Sequence, residues 1–433
     1  MIRRLSLNGF KNFVDAELHL GPFSVLVGAN ASGKSNVRDA LRFLHGVGRG
    51  YTLAETFGEK YVEGALQWRG LRGTLGEIAF RGMPFFWIEV ELDISGFIAE
   101  PAMFPKPMTY RIGISIDRSE GVAHVEGEKL SHNGTLLFKS KRQSEQVNAA
   151  NLGPDFFMAG EPEKFASTRP VLTQIADTIA MKGDMSTNKV RHAVQSAAKA
   201  LQAMRFLDLH PSAMRQPSMP GQTTLSDRGE NLSSVLQAIC EDDARKATLV
   251  EWMQMLTPMD AVELRFPSDL SGTTLAVIVE PNDHETTLYS ASDGTLRFLA
   301  IAAVLLGPSP ERFYFFEEIE NGIHPARLDL LVQLIEQTVA DGPAQVAATT
   351  HSPTLLRLLG PEAREHASLV FRREGESKGH IRRIVDLPEA RRILETQDLA
   401  RLFESGWMET SMAFSQDDAP ETNASGNGAG ERA

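Results

Sequence analysis

The sequence predicts an α/β fold built on a strand, a glycine-rich loop and a helix, with an antiparallel β lobe and an inserted helical region. The segment GANASGKS occupies residues 28–35, directly after an apolar run at 23–27 that is typical of a buried strand. Apolar residues between 190 and 204 recur at spacings of three and four, which indicates helices. Strand-like alternation of apolar and polar side chains recurs at residues 87–94, 110–116 and 124–125.

These patterns divide the chain into four segments. A first lobe at residues 1–150 contains the glycine-rich loop and the antiparallel sheet. An inserted helical region spans 151–260, and a second α/β lobe spans 261–410. Residues 411–433 are polar and rich in glycine and acidic side chains, so they are predicted to be a disordered tail. The insertion contains no sustained heptad repeat, so we do not expect a long coiled-coil arm.

The glycine-rich loop has the G-x-x-x-x-G-K-S spacing of a phosphate-binding loop, or Walker A motif. Its glycines let backbone N–H groups point at a phosphate, and the following helix presents its positive N-terminus to the same anion. Lys34 is expected to bridge the β- and γ-phosphates of ATP, and Ser35 to hold Mg²⁺. The candidate nucleotide-binding residues are Gly28, Ala29, Asn30, Ala31, Ser32, Gly33, Lys34, Ser35 and Asn36.

Two adjacent carboxylates follow the apolar run at residues 312–316, which predicts a buried strand that ends in a catalytic pair. Successive strand residues point in opposite directions, so the two acids can have different tasks. We assign Glu317 to Mg²⁺ and Glu318 to the water that attacks the γ-phosphate. His351 follows a second apolar run at 345–350, from which it can reach the same phosphate in an open sheet.

The tetrapeptide SDGT at residues 292–295 is by itself typical of a turn that caps a helix. In a nucleotide-binding protein the same tetrapeptide can also contact a phosphate. Ser292 and Asp293 are polar, Gly294 lets a ligand approach the backbone, and the helix that begins near Thr295 aims its N-terminus at an anion.

The ordered motifs IRRLSLNGFKNF, GANASGKSN, SDGTLRFLAIAAVLL, EEIENGIHP and TTHSP resemble the ABC-type ATPase heads of the RecF and SMC superfamily. More narrowly, they resemble prokaryotic AAA-family ATPases related to the ATPase half of OLD-family nucleases. The resemblance implies ATP hydrolysis with Mg²⁺ by a homodimer. Each nucleotide would lie between the phosphate loop of one protomer and the signature Ser292, Asp293 and Gly294 of the other.

The same resemblance implies a role in DNA repair and maintenance or in antiviral defence, with DNA as a partner class. Few residues follow His351 and they contain no metal-binding acidic motif of a nuclease, so a nuclease or other effector would be a separate chain. Two alternatives stay open: the ATPase subunit of a membrane transporter, and a nucleotide-gated scaffold with little turnover. SASDG in place of LSGGQ argues against the transporter, and the presence of both acids argues against the scaffold.

Some positions depart from the wider ABC pattern. Glu317 stands where an Asp is usual, and Gln67 is the nearest candidate for the glutamine loop. The 433 residues carry a net charge of −12, one cysteine, and no apolar run long enough for a membrane span or signal peptide, so a cytoplasmic location is expected. The basic pairs are expected to be solvated or ion-paired, although a local patch could contact DNA: Arg372 and Arg373, Arg382 and Arg383, Arg391 and Arg392.

Overall fold

The computed structural model describes residues 1–98, 104–143, 146–150, 163–182, 188–256, 261–308, 310–394 and 397–408. Its strands are β1 (Ile2–Phe10), β2 (Phe13–His19), β3 (Phe23–Val27), β4 (Lys60–Val62), β5 (Ala65–Trp68), β6 (Phe85–Leu92), β7 (Met108–Asp117), β8 (Val122–His132), β9 (Thr135–Gln143), β10 (Gln146–Ala150), β11 (Glu163–Ala166), β12 (Met204–Leu207), β13 (Glu263–Arg265), β14 (Val277–Val279), β15 (Glu285–Thr287), β16 (Phe313–Phe316), β17 (Gln345–Thr350), β18 (Ala367–Arg372) and β19 (Gly379–Arg383).

Helices occur throughout the described chain. They are α1 (Lys34–Gly48), α2 (Leu53–Phe57), α3 (Leu75–Ile78), α4 (Val171–Lys182), α5 (Asn188–Gln202), α6 (Pro211–Met214), α7 (Leu232–Cys240), α8 (Asp243–Leu256), α9 (Asp293–Leu306), α10 (Leu328–Asp341), α11 (Pro353–Leu358), α12 (Pro361–Glu365), α13 (Ala390–Leu394) and α14 (Leu399–Glu404). The predicted tail at residues 411–433 lies outside the described residues.

A mostly parallel sheet in the order β12-β16-β17-β3-β18-β19 forms the centre of the molecule. The first five strands run parallel, and β19 pairs with β18 in the antiparallel sense. Every residue of β3, β16 and β17 is buried, as expected for strands covered on both faces. The carboxyl ends of these three strands therefore meet at one edge of the sheet, and the loops that follow them carry the candidate site residues.

The second sheet is antiparallel, in the order β11-β10-β9-β8-β7-β6-β1-β2. Its strands alternate buried and more exposed positions, as β6 shows with Phe86, Ile88, Val90 and Leu92 all buried. These side chains belong to the same apolar cluster as Phe315 of β16. The strand expectations for this lobe are confirmed, although β8 is much longer than the two residues that the sequence indicated.

Alternate residues of β16 pack into two different cores. Phe315 faces the cluster shared with the antiparallel sheet, whereas Tyr314 and Phe316 face a cluster formed with α7, α9 and α10. The central sheet is thus the middle layer, with apolar contacts on both sides. This placement fixes the strand ends on which the site depends.

Gln345, the first residue of β17, joins the two sheets. Its buried side-chain amide accepts a hydrogen bond from Ile2 N at 2.8 Å. The same amide donates to Ile2 O at 2.7 Å and to Gly21 O at 2.8 Å. A polar side chain without exposure has to satisfy its hydrogen-bonding groups internally, and this one does so by clamping β1 against the central sheet.

The inserted helical region expected at residues 151–260 also contributes the strands β11 and β12. Met204 continues the helical apolar spacing of α5 but begins β12, the edge strand of the central sheet, which pairs with β16. The helical expectation is therefore wrong at Met204, because pairing with a neighbouring strand outweighs local spacing. The boundary at residue 260 stays a prediction.

None of the described helices combines the length and the apolar character that crossing a lipid bilayer would require.

Candidate functional site

The phosphate loop at residues 28–35 is shaped by two glycines. Gly28 and Gly33 have φ values of 154° and 125°, in the region that side chains disfavour. A β-carbon at Gly28 would also collide with the carbonyl oxygen of Val370 on β18. The loop then enters α1 at Lys34, so the helix N-terminus points into the loop. Within the described residues, the buried hydroxyl of Ser32 has no hydrogen-bond partner. These are the features of an anion cradle.

Lys34 is held inside this loop. Its Nζ donates to Gly28 O at 2.7 Å and to Ala29 O at 3.0 Å. Burial lowers the pKa of Lys34 to about 8, against the opposing influence of Glu318 and Glu320. The loop carbonyls therefore orient an ammonium group that a phosphate would stabilise.

Asn12, in the turn between β1 and β2, braces the loop from outside. Its Nδ2 donates to Ser32 O at 2.9 Å, and its Oδ1 accepts from Asn36 Nδ2 at 2.8 Å. Its carbonyl accepts from Gly379 N at 2.7 Å. The sequence motif LNGFKNF contained this residue, but a role for it became visible only when the turn was placed beside the loop.

Both acids after β16 line the same cleft, although strand alternation predicted opposite directions. The strand ends at Phe316, and Glu318 takes a left-handed conformation with φ of 46°. Thr349 Oγ1 accepts from Glu318 N at 2.9 Å, which ties this turn to the end of β17. Asn321 donates a hydrogen bond to the Glu318 carboxylate. The unusual backbone conformation therefore directs the second carboxylate into the cleft.

Glu317 lies among arginines. Its carboxylate is 3.4 Å from Arg38 Nη1 and 3.8 Å from Arg72 Nη1. Arg72 also donates to Ser35 O at 2.5 Å and to the buried carboxylate of Asp39 on α1. Ser35 and Glu317 are thereby brought to the same side of the cleft.

His351 lies beside the second acid, with Nε2 4.0 Å from Glu318 Oε1. Burial lowers the pKa of His351, and the neighbouring Lys34 lowers it further. A neutral imidazole at physiological pH can donate one N–H and accept at the other nitrogen. Glu320 fixes the backbone here, because its Oε1 accepts from His351 N at 2.9 Å and from Thr350 Oγ1 at 2.8 Å.

These groups surround a cleft of about 550 Å³ at the carboxyl edge of the central sheet. It is lined by Asn30, Ala31, Gly33, Lys34, Ser35, Asn36, Arg72, Asp208, Arg297, Glu317, Glu318, Asn321, Thr349 and His351. Sequence reasoning missed Asp208, which follows β12, because the strand itself was not predicted. Gln67 does not line this cleft; it is exposed on β5 and lines a neighbouring one.

The donor set fits magnesium. Mg²⁺ in nucleotide sites takes one or two protein oxygens and completes its shell with phosphate oxygens and water. The Ser35 hydroxyl and the Glu317 carboxylate line one cleft and supply that number. A cage of three or more His, Cys, Asp or Glu ligands is absent from the described part of the chain, and such a cage is not what this chemistry requires.

The signature segment is held by hydrogen bonds, an ion pair and packing within its own chain. Ser292 Oγ caps α9 by accepting from Thr295 N at 3.1 Å, and Asp293 forms an ion pair with Arg215 at 2.7 Å. A β-carbon at Gly294 would collide with the carbonyl oxygen of Gly322, so this glycine also has a packing reason within its own chain. Ser292, Asp293 and Gly294 do not line the cleft described above.

Several of the basic pairs near the C-terminus form ion pairs with neighbouring acids. The pairs are Arg373 with Glu376, Arg383 with Asp386, Arg391 with Glu365 and Arg392 with Glu389. Exposed pairs of this kind contribute little stability, but they reduce the positive charge available to DNA. The expectation that these residues are ion-paired is therefore confirmed for these four.

Comparison with protein families places this site in context. A family described as "AAA domain, putative AbiEii toxin, Type IV TA system" matches residues 23–357, a span that contains every motif of the cleft. The chain belongs to this AAA domain family. No curated protein sequence matches the chain.

Solved structures show the same fold for this AAA family member. An SMC head bound to the C-terminal winged-helix domain of ScpA aligns with a TM-score of 0.52 and 15% identity, over 88% of this chain and 96% of that one. An SMC head with an extended coiled coil from Pyrococcus furiosus, bound to the C-terminal domain of ScpA, aligns with a TM-score of 0.49 and 14% identity, over 91% and 98%. The chain therefore has the fold of an SMC head and belongs to the AAA domain family, as the resemblance implied.

Proposed function

We propose that the protein binds Mg²⁺ and ATP in the cleft beside the phosphate loop and hydrolyses the nucleotide. The observation that carries this proposal is the convergence of Lys34, Glu318 and His351 on one cleft at the carboxyl edge of the central sheet. Phosphoryl transfer needs positioning and charge stabilisation more than covalent chemistry, and these three side chains supply both.

Each residue has a distinct role in this proposal. Lys34 leaves its loop carbonyls to contact the β- and γ-phosphates. Ser35 and Glu317 would hold Mg²⁺, which would supply positive charge beside those phosphates. Glu318, oriented by Asn321, positions a water and accepts its proton as the water oxygen attacks phosphorus and ADP leaves. Neutral His351 donates its N–H to the γ-phosphate.

The active unit in this proposal is a head-to-tail homodimer with ATP at the interface. Ser292 already presents a helix N-terminus, yet the signature residues do not line the cleft of their own chain. A second copy would bring this helix end to the phosphates and complete the site. Hydrolysis removes the shared phosphate contact and loosens the pair.

The cellular setting we propose is DNA repair and maintenance or antiviral defence in the cytoplasm, together with a separately encoded nuclease or effector. The sequence resemblance to RecF-like ATPases supports this part. The ion-paired arginines argue that any DNA contact uses other basic residues, among which Lys139 and Lys141 on β9 are candidates.

ATP hydrolysis and oligomeric state, measured together with and without duplex DNA, test this function. We expect the wild type to hydrolyse ATP and dimerise with it. Glu318→Gln should abolish turnover and trap the dimer, whereas Lys34→Ala should abolish both. Unchanged turnover in Glu318→Gln would refute the catalytic assignment. ATP binding by the wild type without any hydrolysis would favour the nucleotide-gated scaffold.

A further inference from the structure

A second cleft of about 800 Å³ adjoins the phosphate-loop cleft. Its walls come from α1, the β4–β5 hairpin, β12 and the segment at residues 218–231. It shares Arg38, Arg72 and Asp208 with the neighbourhood of the proposed ATP site. The arginines found only here are Arg42, Arg49, Arg69, Arg205 and Arg228. We call this space the arginine cleft.

The positive charge of the arginine cleft exceeds the negative charge around it. Its acidic lining consists of Asp208, Asp227 and Glu230, against seven arginines. Arg38 and Arg72 approach Glu317, and Arg205 pairs with Asp227 at 3.3 Å. In the described ranges, the remaining four arginines of the cleft form no ion pair with any acid. An acidic protein thus concentrates unpaired positive charge in one place.

Several of these arginines have a buried N–H group without an acceptor in the described part of the chain. The Nε atoms of Arg38, Arg42, Arg205 and Arg228 are buried and, among described residues, lack a hydrogen-bond partner. Arg38 as a whole is only 8% exposed. Buried charged donors without a partner are destabilising. An anion in the cleft would offset the positive charge that these guanidinium groups share.

One of these guanidinium groups packs against an aromatic ring. The Arg42 guanidinium lies 4.6 Å from the centre of the Trp68 ring, which packs against buried His45. Burial lowers the pKa of His45 to about 3, so this imidazole is neutral. Burial and the neighbouring Arg38 also lower the pKa of Arg42, which reflects desolvation and repulsion that a bound anion would relieve.

We propose that the arginine cleft binds a small phosphorylated ligand of nucleotide size, at a site separate from the phosphate loop. Guanidinium groups match phosphate oxygens in paired hydrogen bonds, which makes phosphate the favoured anion. The volume falls within the roughly 300–1,000 Å³ of small-molecule sites. A cleft of this volume with arginines on several of its walls favours a compact ligand that contacts them together.

The test uses inorganic pyrophosphate as the probe and isothermal titration calorimetry as the readout. The Lys34→Ala protein serves as background, because it lacks the lysine that would hold pyrophosphate in the phosphate loop. We expect binding in this background, weakened about tenfold or more by Arg42→Ala and again by Arg228→Ala, as loss of a charged hydrogen bond predicts. Arg401→Ala, an exposed arginine on α14, is the matched control and should leave the affinity unchanged.

Thermal melting of each variant separates a lost ligand contact from a lost fold. Arg42→Lys keeps the charge and the stem over Trp68, so a folded Arg42→Lys protein should bind with intermediate affinity. Equal affinity in all variants would overturn the proposal, as would absence of pyrophosphate binding. Tight, Arg42-dependent binding of a 20-base-pair duplex without pyrophosphate binding would assign the cleft to nucleic acid instead. These measurements need no ATP turnover, so they stand apart from the test of the proposed ATPase.

Discussion

The phosphate loop and the signature segment differ in how complete each one is within a single chain. The loop has its backbone fixed by Gly28 and Gly33, and its lysine held by loop carbonyls. The signature Ser292 caps its own helix and Asp293 pairs with Arg215. One region thus forms an anion cradle in which the buried Ser32 hydroxyl has no hydrogen-bond partner among the described residues. In the other region, the serine and aspartate side chains have partners within the chain.

The two halves of the proposed site therefore differ in how far each is arranged for phosphate before a ligand binds. The cradle is built to receive phosphate at low cost, because its donors already point inward. The signature Ser292 hydroxyl accepts from Thr295 N, which leaves its O–H to donate to a ligand. In the proposed dimer, the partner protomer delivers that ligand.

The largest effect is expected when two inactive variants are mixed. Lys34→Ala removes the cradle and Ser292→Ala removes the signature hydroxyl, so each alone should hydrolyse little ATP. An equal mixture should recover on the order of a quarter of wild-type turnover, because each mixed dimer has one intact site and one damaged site. Phosphate release measures this. Mixing Lys34→Ala with Glu318→Gln, which damage the same half, is the control and should recover nothing; recovery there would contradict the shared site.

The next effect concerns the rigidity of the cradle. Gly28→Ala should lower the free energy of unfolding by about 3 kcal/mol or more, because the new methyl group meets the backbone of β18. Gly121→Ala is the matched control: its φ is 67° and no atom lies within 4 Å, so only about 1 kcal/mol should be lost. Urea denaturation compares them. Equal losses would show that packing does not fix the loop.

The pH dependence of ATP binding tests whether Lys34 contacts the phosphates. The pKa of Lys34 is about 8 in the free protein, and a bound phosphate should raise it. Binding then takes up a proton above pH 8, so affinity should fall by up to about tenfold per pH unit from 8 upward and stay flat below. Titration calorimetry between pH 7 and 10 measures this. A Lys34→Ala protein should show no such fall; an equal fall there would assign the effect to another group.

The smallest effect tests the signature as a helix cap. Ser292→Ala should lower the free energy of unfolding by about 1 kcal/mol, because Thr295 N loses its acceptor. Thr52→Ala removes the equivalent acceptor at the start of α2 and is the matched control for capping alone. If Ser292 also serves ATP, its substitution should reduce turnover while Thr52→Ala does not. Equal turnover in the two variants would leave Ser292 as a cap only.

Sequence patterns predicted the elements that are strongly periodic or fully apolar. Phe23–Val27 and Gln345–Thr350 have the expected bounds. Met204–Leu207 escaped prediction because its partner β16 lies more than a hundred residues away, and helical spacing leads directly into it. Periodicity reports local geometry, whereas strand pairing depends on distant residues.

The motifs likewise located Lys34, Glu318 and His351, which the fold brings to one cleft. They did not locate the groups that hold these residues. Glu320 was part of a recognised motif, yet its contact with His351 N depends on how β16 and β17 pair. Asp39 and Arg72 meet only because α1 and the segment before α3 are adjacent in space. Contacts of this kind join residues that are not linked by any regular spacing, so a single sequence does not indicate them.

The clamp at Gln345 has a consequence for how the molecule opens. This residue begins β17, the strand that ends beside His351, and its amide grips β1 of the antiparallel sheet. The two sheets therefore share a buried connection at the end of β17 opposite the cleft. In native-state hydrogen exchange, amides of β1 and β17 should open together as one cooperative unit, with protection close to that of global unfolding.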